Sequence, residues 1–153
     1  MNAVRPVPDE SQAMSPYLIV KGAQKAIEFY QRAFGAKERF RLTEPNGKIG
    51  HAELAIGRSR LMLADEYPDF GALSPVTVGG TPVSIHLYVE DVDKTMAQAT
   101  AAGATLLRAV QDEFFGDRTG LLTDPFGHKW HLASRKEDLS PEEMQKRMNG
   151  AYE

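Results

Sequence analysis

The sequence has no cysteine among its 153 residues and only one tryptophan. Without cysteine the chain can form no disulfide bond, no thiolate metal site and no cysteine nucleophile. The absence is compatible with a reducing compartment, and we expect the protein to be cytoplasmic.

An excess of charge of either sign is also missing. Lysine and arginine number 18 against 21 aspartate and glutamate residues, which gives a net charge of −3. Such a balance produces no strong field for phosphates or a membrane surface, so we predict neither a nucleic-acid nor a membrane partner. The first residues contain no apolar run of the length that a signal peptide or membrane span needs, and residues 1–15 are predicted to form a flexible tail.

The chain has enough apolar material for a sizeable core, since 42% of its residues are hydrophobic. In the first half, residues 17–20 predict a strand, and apolar residues at helical spacing from Ala26 to Phe34 predict a helix that Gly35 ends. Alternating patterns predict three further strands. These lie at residues 38–42, 50–56 and 60–64. The first half therefore has the order β-α-β-β-β.

The second half repeats this order after a connection, residues 67–82, whose proline and glycine content predicts an irregular linker. A strand is predicted at residues 83–90, and Asp91 or Asp93 is predicted to cap a helix that Gly103 ends. The pairs Asp65-Glu66 and Asp91/Asp93 are interpreted as solvated or helix-capping carboxylates. Strands are predicted at residues 105–110 and 119–122. Local matches support a duplication: Leu18-Ile19-Val20 with Leu87-Tyr88-Val89, and Phe34-Gly35-Ala36 with Ala102-Gly103-Ala104.

The fold predicted from these patterns is α+β, with two tandem β-α-β-β-β modules in a single domain at residues 16–135. The modules occupy residues 16–66 and 83–135, and together they are expected to form a cup-shaped sheet. Residues 136–153 form a C-terminal extension, in which Ser140-Pro141-Glu142-Glu143 predicts the start of a helix. Met144 and Met148 on this helix are expected to pack on the domain or on a second subunit.

The segment 120–133 predicts a hairpin around the turn Asp124-Pro125-Phe126-Gly127. Alternation along its second strand places Trp130 on the side of the helix and His131 on the opposite side. The same alternation places other polar and aromatic side chains on the cavity side of the sheets. The predicted ligand-binding residues are Tyr17, His51, Glu53, Met62, His86, Tyr88, Phe114, Phe115 and His131.

Several motifs occur in the same order as in one known group of proteins. They are Ser15-Pro16-Tyr17-Leu18, Ala26-Ile27-Glu28-Phe29-Tyr30, His51-Ala52-Glu53-Leu54, Leu61-Met62-Leu63-Ala64-Asp65-Glu66, Leu87-Tyr88-Val89-Glu90-Asp91-Val92-Asp93, Asp124-Pro125-Phe126-Gly127-His128 and Ser140-Pro141-Glu142-Glu143-Met144. Through them the chain resembles the vicinal oxygen chelate superfamily, that is the glyoxalase and bleomycin-resistance fold, in its PhnB-like branch. The resemblance implies paired β-α-β-β-β modules, a homodimer, and a cup in which many relatives hold a divalent metal.

The metal ligands that the resemblance implies are mostly missing. Their positions correspond to Ser15, about Met62, Ser84 and His131, and only His131 is a good ligand for a hard divalent ion. We therefore predict no metal and no other cofactor. If a metal is bound, His86, His131 and Glu53 are the expected ligands; the alternative is that these histidines are hydrogen-bonded within a polar cavity, with His51 a partner of Glu53.

Two functions of different class follow. The first is a protein that binds a small, partly apolar molecule in the cup without a metal, as bleomycin-resistance relatives bind a drug. The second is a divalent-metal-dependent lyase, isomerase or dioxygenase of the vicinal oxygen chelate type. The residues leave open whether the protein is an enzyme, and the expected partners are a small-molecule ligand and a second copy of the chain.

Overall fold

A computed structural model describes residues 3–151; the ends of the predicted tail and of the C-terminal extension, residues 1–2 and 152–153, lie outside this range. A short 3-10 helix, Glu10–Gln12, precedes the first module. In that module, one helix packs on a sheet with the strand order β1-β4-β3-β2. Its elements are β1 (Tyr17–Val20), α1 (Ala23–Phe34), β2 (Lys37–Thr43), β3 (Ile49–Ile56) and β4 (Ser59–Asp65).

The prediction that residues 67–82 form a wholly irregular linker is wrong. This connection contains a 3-10 helix, Pro68–Phe70, and a one-turn helix, α2 (Pro75–Val78). The Ser74 hydroxyl accepts a hydrogen bond from the backbone N–H of Thr77, and Pro75 supplies the fixed φ of a first helical position. The Glu66 carboxylate accepts from the Ser74 N–H over 2.8 Å and from the Thr77 hydroxyl. Hydrogen bonding by the Ser74 side chain, followed by that of the Thr77 side chain and the Ser74 backbone, lowers the pKa of Glu66 to about 2.

The second module repeats the architecture of the first, with strand order β5-β8-β7-β6. Its elements are β5 (Ser84–Tyr88), α3 (Val92–Ala102), β6 (Thr105–Asp112), β7 (Asp117–Thr123) and β8 (Lys129–Arg135). In both modules the first strand is parallel to the last one and the remaining pairs are antiparallel. The predicted pair of β-α-β-β-β modules is therefore confirmed.

The two modules share one hydrophobic core on the side of their helices. Helix α1 packs against α3, and the Phe34 ring lies 4.5 Å from the Trp130 ring of the other module, centroid to centroid. The Trp130 side chain is 1% exposed, as its predicted position on the helix side requires. Because both helix-covered faces join this core, the opposite faces of the two sheets lie on the outside of the chain.

Carboxylates at strand ends cap the helices. The Asp65 carboxylate accepts hydrogen bonds from the N–H groups of Gly22 and Ala23 at the start of α1, and from that of Ile49 in β3. Asp91, not Asp93, caps α3, because its carboxylate accepts from the Lys94 N–H. The capping interpretation of Asp65 and Asp91 is thus confirmed.

The predicted C-terminal helix is present as α4 (Pro141–Ala151), and the Ser140 hydroxyl caps it through the Glu143 N–H over 3.1 Å. Arg147 anchors this helix to the second module. Its guanidinium pairs with Glu137 over 2.7 Å and donates to the carbonyl of Phe114 in the β6–β7 turn. Within residues 3–151, no helix is long and apolar enough to cross a membrane.

Candidate functional site

The predicted site residues of the first module form one cluster on the open face of its sheet. The Tyr17 hydroxyl lies 2.9 Å from His51 Nδ1, and His51 Nε2 lies 3.5 Å from a carboxylate oxygen of Glu53. Met62 on β4 is in register with Tyr17 on one side and with Glu53 on the other. The expected pairing of His51 with Glu53 is confirmed.

The predicted residues of the second module form a separate cluster. Strands β5 and β8 pair in parallel, with His86 opposite His131. Their ring centroids are 5.1 Å apart, and the Tyr88 ring lies 4.7 Å from that of His86. Two imidazoles and a phenol thus stand side by side on the open face of the second sheet.

This cluster lines a cavity of about 330 Å³, which we name the histidine pocket. Its floor is the sheet face, and its walls are the β6–β7 turn and the segment that leads into α4. The lining residues are His86, Tyr88, Phe115, Asp117, His131, Arg135, Glu137, Asp138, Leu139 and Met144. The pocket therefore combines apolar and aromatic surface with a small number of polar groups, which is the usual composition of small-molecule sites.

His131 has an unusual environment within this pocket. Its Nε2 atom is buried and has no hydrogen-bond partner among the described residues. Burial lowers the pKa of the imidazole, and the nearby His86 and Arg108 lower it further, against a smaller opposing effect of Glu113 and Asp117. Since the ordinary pKa is about 6.5, His131 is neutral at pH 7.

Several other polar groups in and beside the pocket are paired. The Tyr88 hydroxyl donates to the buried Asp117 carboxylate over 2.7 Å, and this bond, together with burial, raises the pKa of the phenol. Behind His131, Arg108 pairs with Glu113 over 3.1 Å, and both bond to the Thr119 hydroxyl. Paired polar groups thus lie around His131, and its Nε2 atom is left without a partner among the described residues.

The two clusters do not meet within one chain, although the sequence patterns placed Tyr17, His86, Tyr88 and His131 on one cavity face. The described residues show no hydrogen bond, ion pair or ring contact between the clusters. The physical reason is the packing of α1 on α3, which turns both helix-covered faces inward and both open faces outward.

The donor groups do not fit the metal site that the fold implies. Ser15 accepts a hydrogen bond from Arg60, Met62 offers only a soft thioether, and Ser84 is an exposed weak ligand. Glu53 lies in the first cluster, away from His86 and His131. Among residues 3–151, no three histidine, aspartate or glutamate side chains come together closely enough to hold a metal ion.

Several pocket residues are not apparent from the sequence. Asp117 and Arg135 lie at strand ends, and Leu139 and Met144 come from the C-terminal segment. The helix signal at Ser140 placed Met144 on a helix that packs on the domain or on a second subunit, but it did not show which surface Met144 contacts. Of the two predicted phenylalanines, Phe115 lines the pocket. Phe114 packs edge-on against the Phe115 ring, with the ring centroids 5.3 Å apart.

Comparison with known proteins agrees with this architecture. The protein Mb0911c of Mycobacterium bovis is 43% identical over 140 residues, which cover 90% of this chain and 92% of that protein. The crystal structure of PA1353 from Pseudomonas aeruginosa superposes with a TM-score of 0.66 at 25% identity and covers 81% of this chain and 98% of that chain. The PhnB protein from Bacillus cereus shares the fold, with a TM-score of 0.62 at 18% identity, over 80% of this chain and 99% of that chain.

Residues 12–132 match the family model of the Glyoxalase/Bleomycin resistance protein/Dioxygenase superfamily. This range includes all eight strands except the last residues of β8. The chain belongs to the Glyoxalase/Bleomycin resistance protein/Dioxygenase superfamily.

Proposed function

We propose that this protein binds a small, partly apolar molecule in the histidine pocket, in the cytoplasm and without a metal ion. The observation that carries the proposal is the buried, unpartnered Nε2 atom of His131. Buried polar atoms are nearly always hydrogen-bonded, and an unpaired one costs about 1–3 kcal/mol. A ligand hydroxyl, amide or ring nitrogen that reaches this atom would remove that cost.

The rest of the pocket supports an apolar body for the ligand. Phe115, Leu139 and Met144 supply aromatic, aliphatic and thioether surface, and the Tyr88 ring extends it. A volume of about 330 Å³ lies at the lower end of the range for small-molecule sites. The fitting molecule is therefore compact, with one polar group toward His131.

The charges of the pocket disfavour an anionic ligand. His131 is neutral at pH 7 because its pKa is lowered. Arg135, the cationic residue of the pocket lining, lies 3.5 Å from Asp138, and Glu137 pairs with Arg147. The third carboxylate of the lining, Asp117, accepts only from the Tyr88 phenol, so the pocket has no excess positive charge that would attract an anion.

The test is a thermal-shift screen of small molecules arranged in matched pairs. Each pair consists of a polar compound and its apolar counterpart, such as 2-naphthol and naphthalene. We expect polar members to raise the melting temperature more than their counterparts. His131→Leu should remove the difference, whereas His131→Asn should keep part of it because the amide still offers a polar atom. Equal stabilisation by both members in the parent protein would contradict the proposal.

The alternative is a divalent-metal-dependent lyase, isomerase or dioxygenase, and the close pair of His86 and His131 is the observation in its favour. Metal analysis of protein purified without a chelator separates the two functions. Stoichiometric divalent metal that is lost in His131→Ala would replace the binding proposal with the enzymatic one.

A further inference from the structure

A second cavity lies at the junction of the modules, on the other side of His86 from the histidine pocket. We name it the seam pocket; its volume is about 250 Å³. The β3–β4 turn of the first module forms one wall, and β5 of the second module forms the other. The lining residues are Ser11, Gln12, Met14, Pro16, Ile56, Arg58, Ser59, Arg60, Leu61, Ile85, His86, Leu87 and Trp130.

The floor of the seam pocket is apolar and belongs to both modules. Ile56 and Leu61 come from the first sheet, and Ile85 and Leu87 from the second. Trp130, the only tryptophan of the chain, also contacts the cavity. An apolar group bound here would gain the usual free energy of leaving water without any change in the sheets.

The rim of the seam pocket is basic. A neighbouring depression shares Ser11, Gln12, Arg58 and Ser59 with it and adds Arg39. Arg60 is engaged, since it donates to the Ser15 hydroxyl over 2.9 Å and to the carbonyl of Gln12. Arg58 and Arg39 make no hydrogen bond or ion pair with any of residues 3–151. Their guanidinium groups are thus available to an anion.

One carboxylate lies close to these arginines. Hydrogen bonds from Ser11 lower the pKa of the exposed Asp9, and the charges of Arg60 and Arg39 add to that effect. Arg58 and Arg39, which take part in no ion pair among residues 3–151, leave this part of the rim with a positive charge. A rim of this kind beside an apolar cavity is complementary to a molecule with an anionic end and an apolar end.

We propose that the seam pocket binds a small amphipathic anion, with its apolar chain between the modules and its carboxylate, sulfonate or phosphate against Arg58 and Arg39. This site differs from the histidine pocket: its floor is formed by Leu61 of β4 and by Ile85 and Leu87 of β5, it shares His86 with the histidine pocket, and His131 is not part of its lining. Residues 11–16, which Arg60 holds in place, form its outer wall.

The experiment uses the full chain, with hexanoate as the probe, 1-hexanol as its uncharged match and acetate as its match without an apolar chain. Trp130 fluorescence reports occupancy, because this side chain lies in the pocket wall and is the only tryptophan. We expect saturable fluorescence changes with hexanoate and hexanol and none with acetate. At low salt, hexanoate should bind about threefold to fivefold more tightly than hexanol, because its carboxylate forms an exposed ion pair with the arginines. High salt screens this pair and should reduce the difference in affinity.

Substitutions of arginine residues test where the carboxylate of hexanoate binds. Arg58→Gln should reduce the advantage of hexanoate over hexanol, and Arg39→Gln with Arg58→Gln should abolish it. Arg32→Gln, which removes an exposed arginine at the end of α1, is the matched control and should leave the advantage unchanged. The absence of a saturable change, equal affinities of hexanoate and hexanol in the parent protein, or an equal loss in Arg32→Gln would overturn the proposal.

Discussion

The hydroxyl of Tyr30 on α1 donates a 2.6 Å hydrogen bond to the buried carboxylate of Asp124 in the β7–β8 turn. The same carboxylate accepts from Trp130 Nε1 over 2.9 Å and from the backbone N–H groups of Phe126 and His128. Asp124 thus fixes the turn of the second module and joins it to the helix of the first. Burial, followed by the charge of Asp124, raises the pKa of Tyr30 well above its ordinary value.

Tyr30→Phe should lower the free energy of unfolding by about 1–3 kcal/mol, because it leaves a buried carboxylate with one donor fewer. Tyr17→Phe is the matched control: its hydroxyl bonds to the His51 imidazole and its loss leaves no buried carboxylate short of a donor, so the cost should stay below about 1 kcal/mol. Denaturant unfolding of both variants measures the difference. Equal losses would show that the contact between Tyr30 and Asp124 adds nothing to the junction.

The sequence predicted this turn but not its partner. Asp124-Pro125-Phe126-Gly127 has proline and glycine where a turn requires them, and these are local signals. The bond from Tyr30 spans 94 positions of the chain, and the helical spacing around Tyr30 showed only that the residue faces a core. Local patterns thus predicted each module, whereas the contact between modules depends on packing that no local pattern contains.

Asp65→Ala should destabilise the first module, since three backbone N–H groups at two elements lose their acceptor. We expect a loss of about 2–3 kcal/mol, at the upper end for a helix cap, because Ile49 in β3 is affected together with α1. Asp69→Ala, at an exposed position in the linker, should change the free energy of unfolding by less than about 0.5 kcal/mol. A loss in Asp65→Ala no larger than in this control would contradict the capping role.

The short helix α2 shows a signal that the prediction overlooked. Ser74-Pro75 has the same N-cap and first-turn residues as Ser140-Pro141, which correctly predicted α4. The density of proline and glycine in residues 67–82 concealed it. The walls of the histidine pocket could not be found in this way, because Leu139 and Met144 reach the second sheet through long-range contacts. The N–H groups of Lys136 and Glu137 donate to the Gly116 carbonyl, and Arg147 anchors α4.

Protonation of His131 should destabilise the fold at acidic pH. Its pKa in the folded protein lies below the ordinary 6.5, so between these two values the unfolded chain binds more protons than the folded one. The stabilising contribution is therefore complete above about pH 6.5 and is lost as the pH falls through the folded pKa. The groups that face this imidazole are His86, Arg108, Glu113 and Asp117.

The measurement is the free energy of unfolding of the parent and of His131→Gln across pH 5 to 8. All other titrating groups are common to both proteins, so the difference between the two curves reports His131. We expect the parent to lose stability relative to the variant below about pH 6.5. A difference that is independent of pH, or that grows in the opposite direction, would show that the imidazole is not held in its neutral form.

Homodimer formation remains a prediction, and the open face of the first sheet is where it should be tested. Tyr17, Phe40 and Leu42 are 48%, 43% and 59% exposed there, around the partly buried His51. Adjacent large apolar side chains of this kind are unusual on the surface of a monomer and mark interaction surfaces.

We expect a dimeric mass by sedimentation at micromolar concentration, and a monomeric mass for the double variant Phe40→Asp with Leu42→Asp. Val78→Asp, at a position in α2 that is 63% exposed, is the control and should leave the dimer intact. A monomeric parent protein would refute the prediction, and a dimer that survives both aspartates would place the interface on another surface.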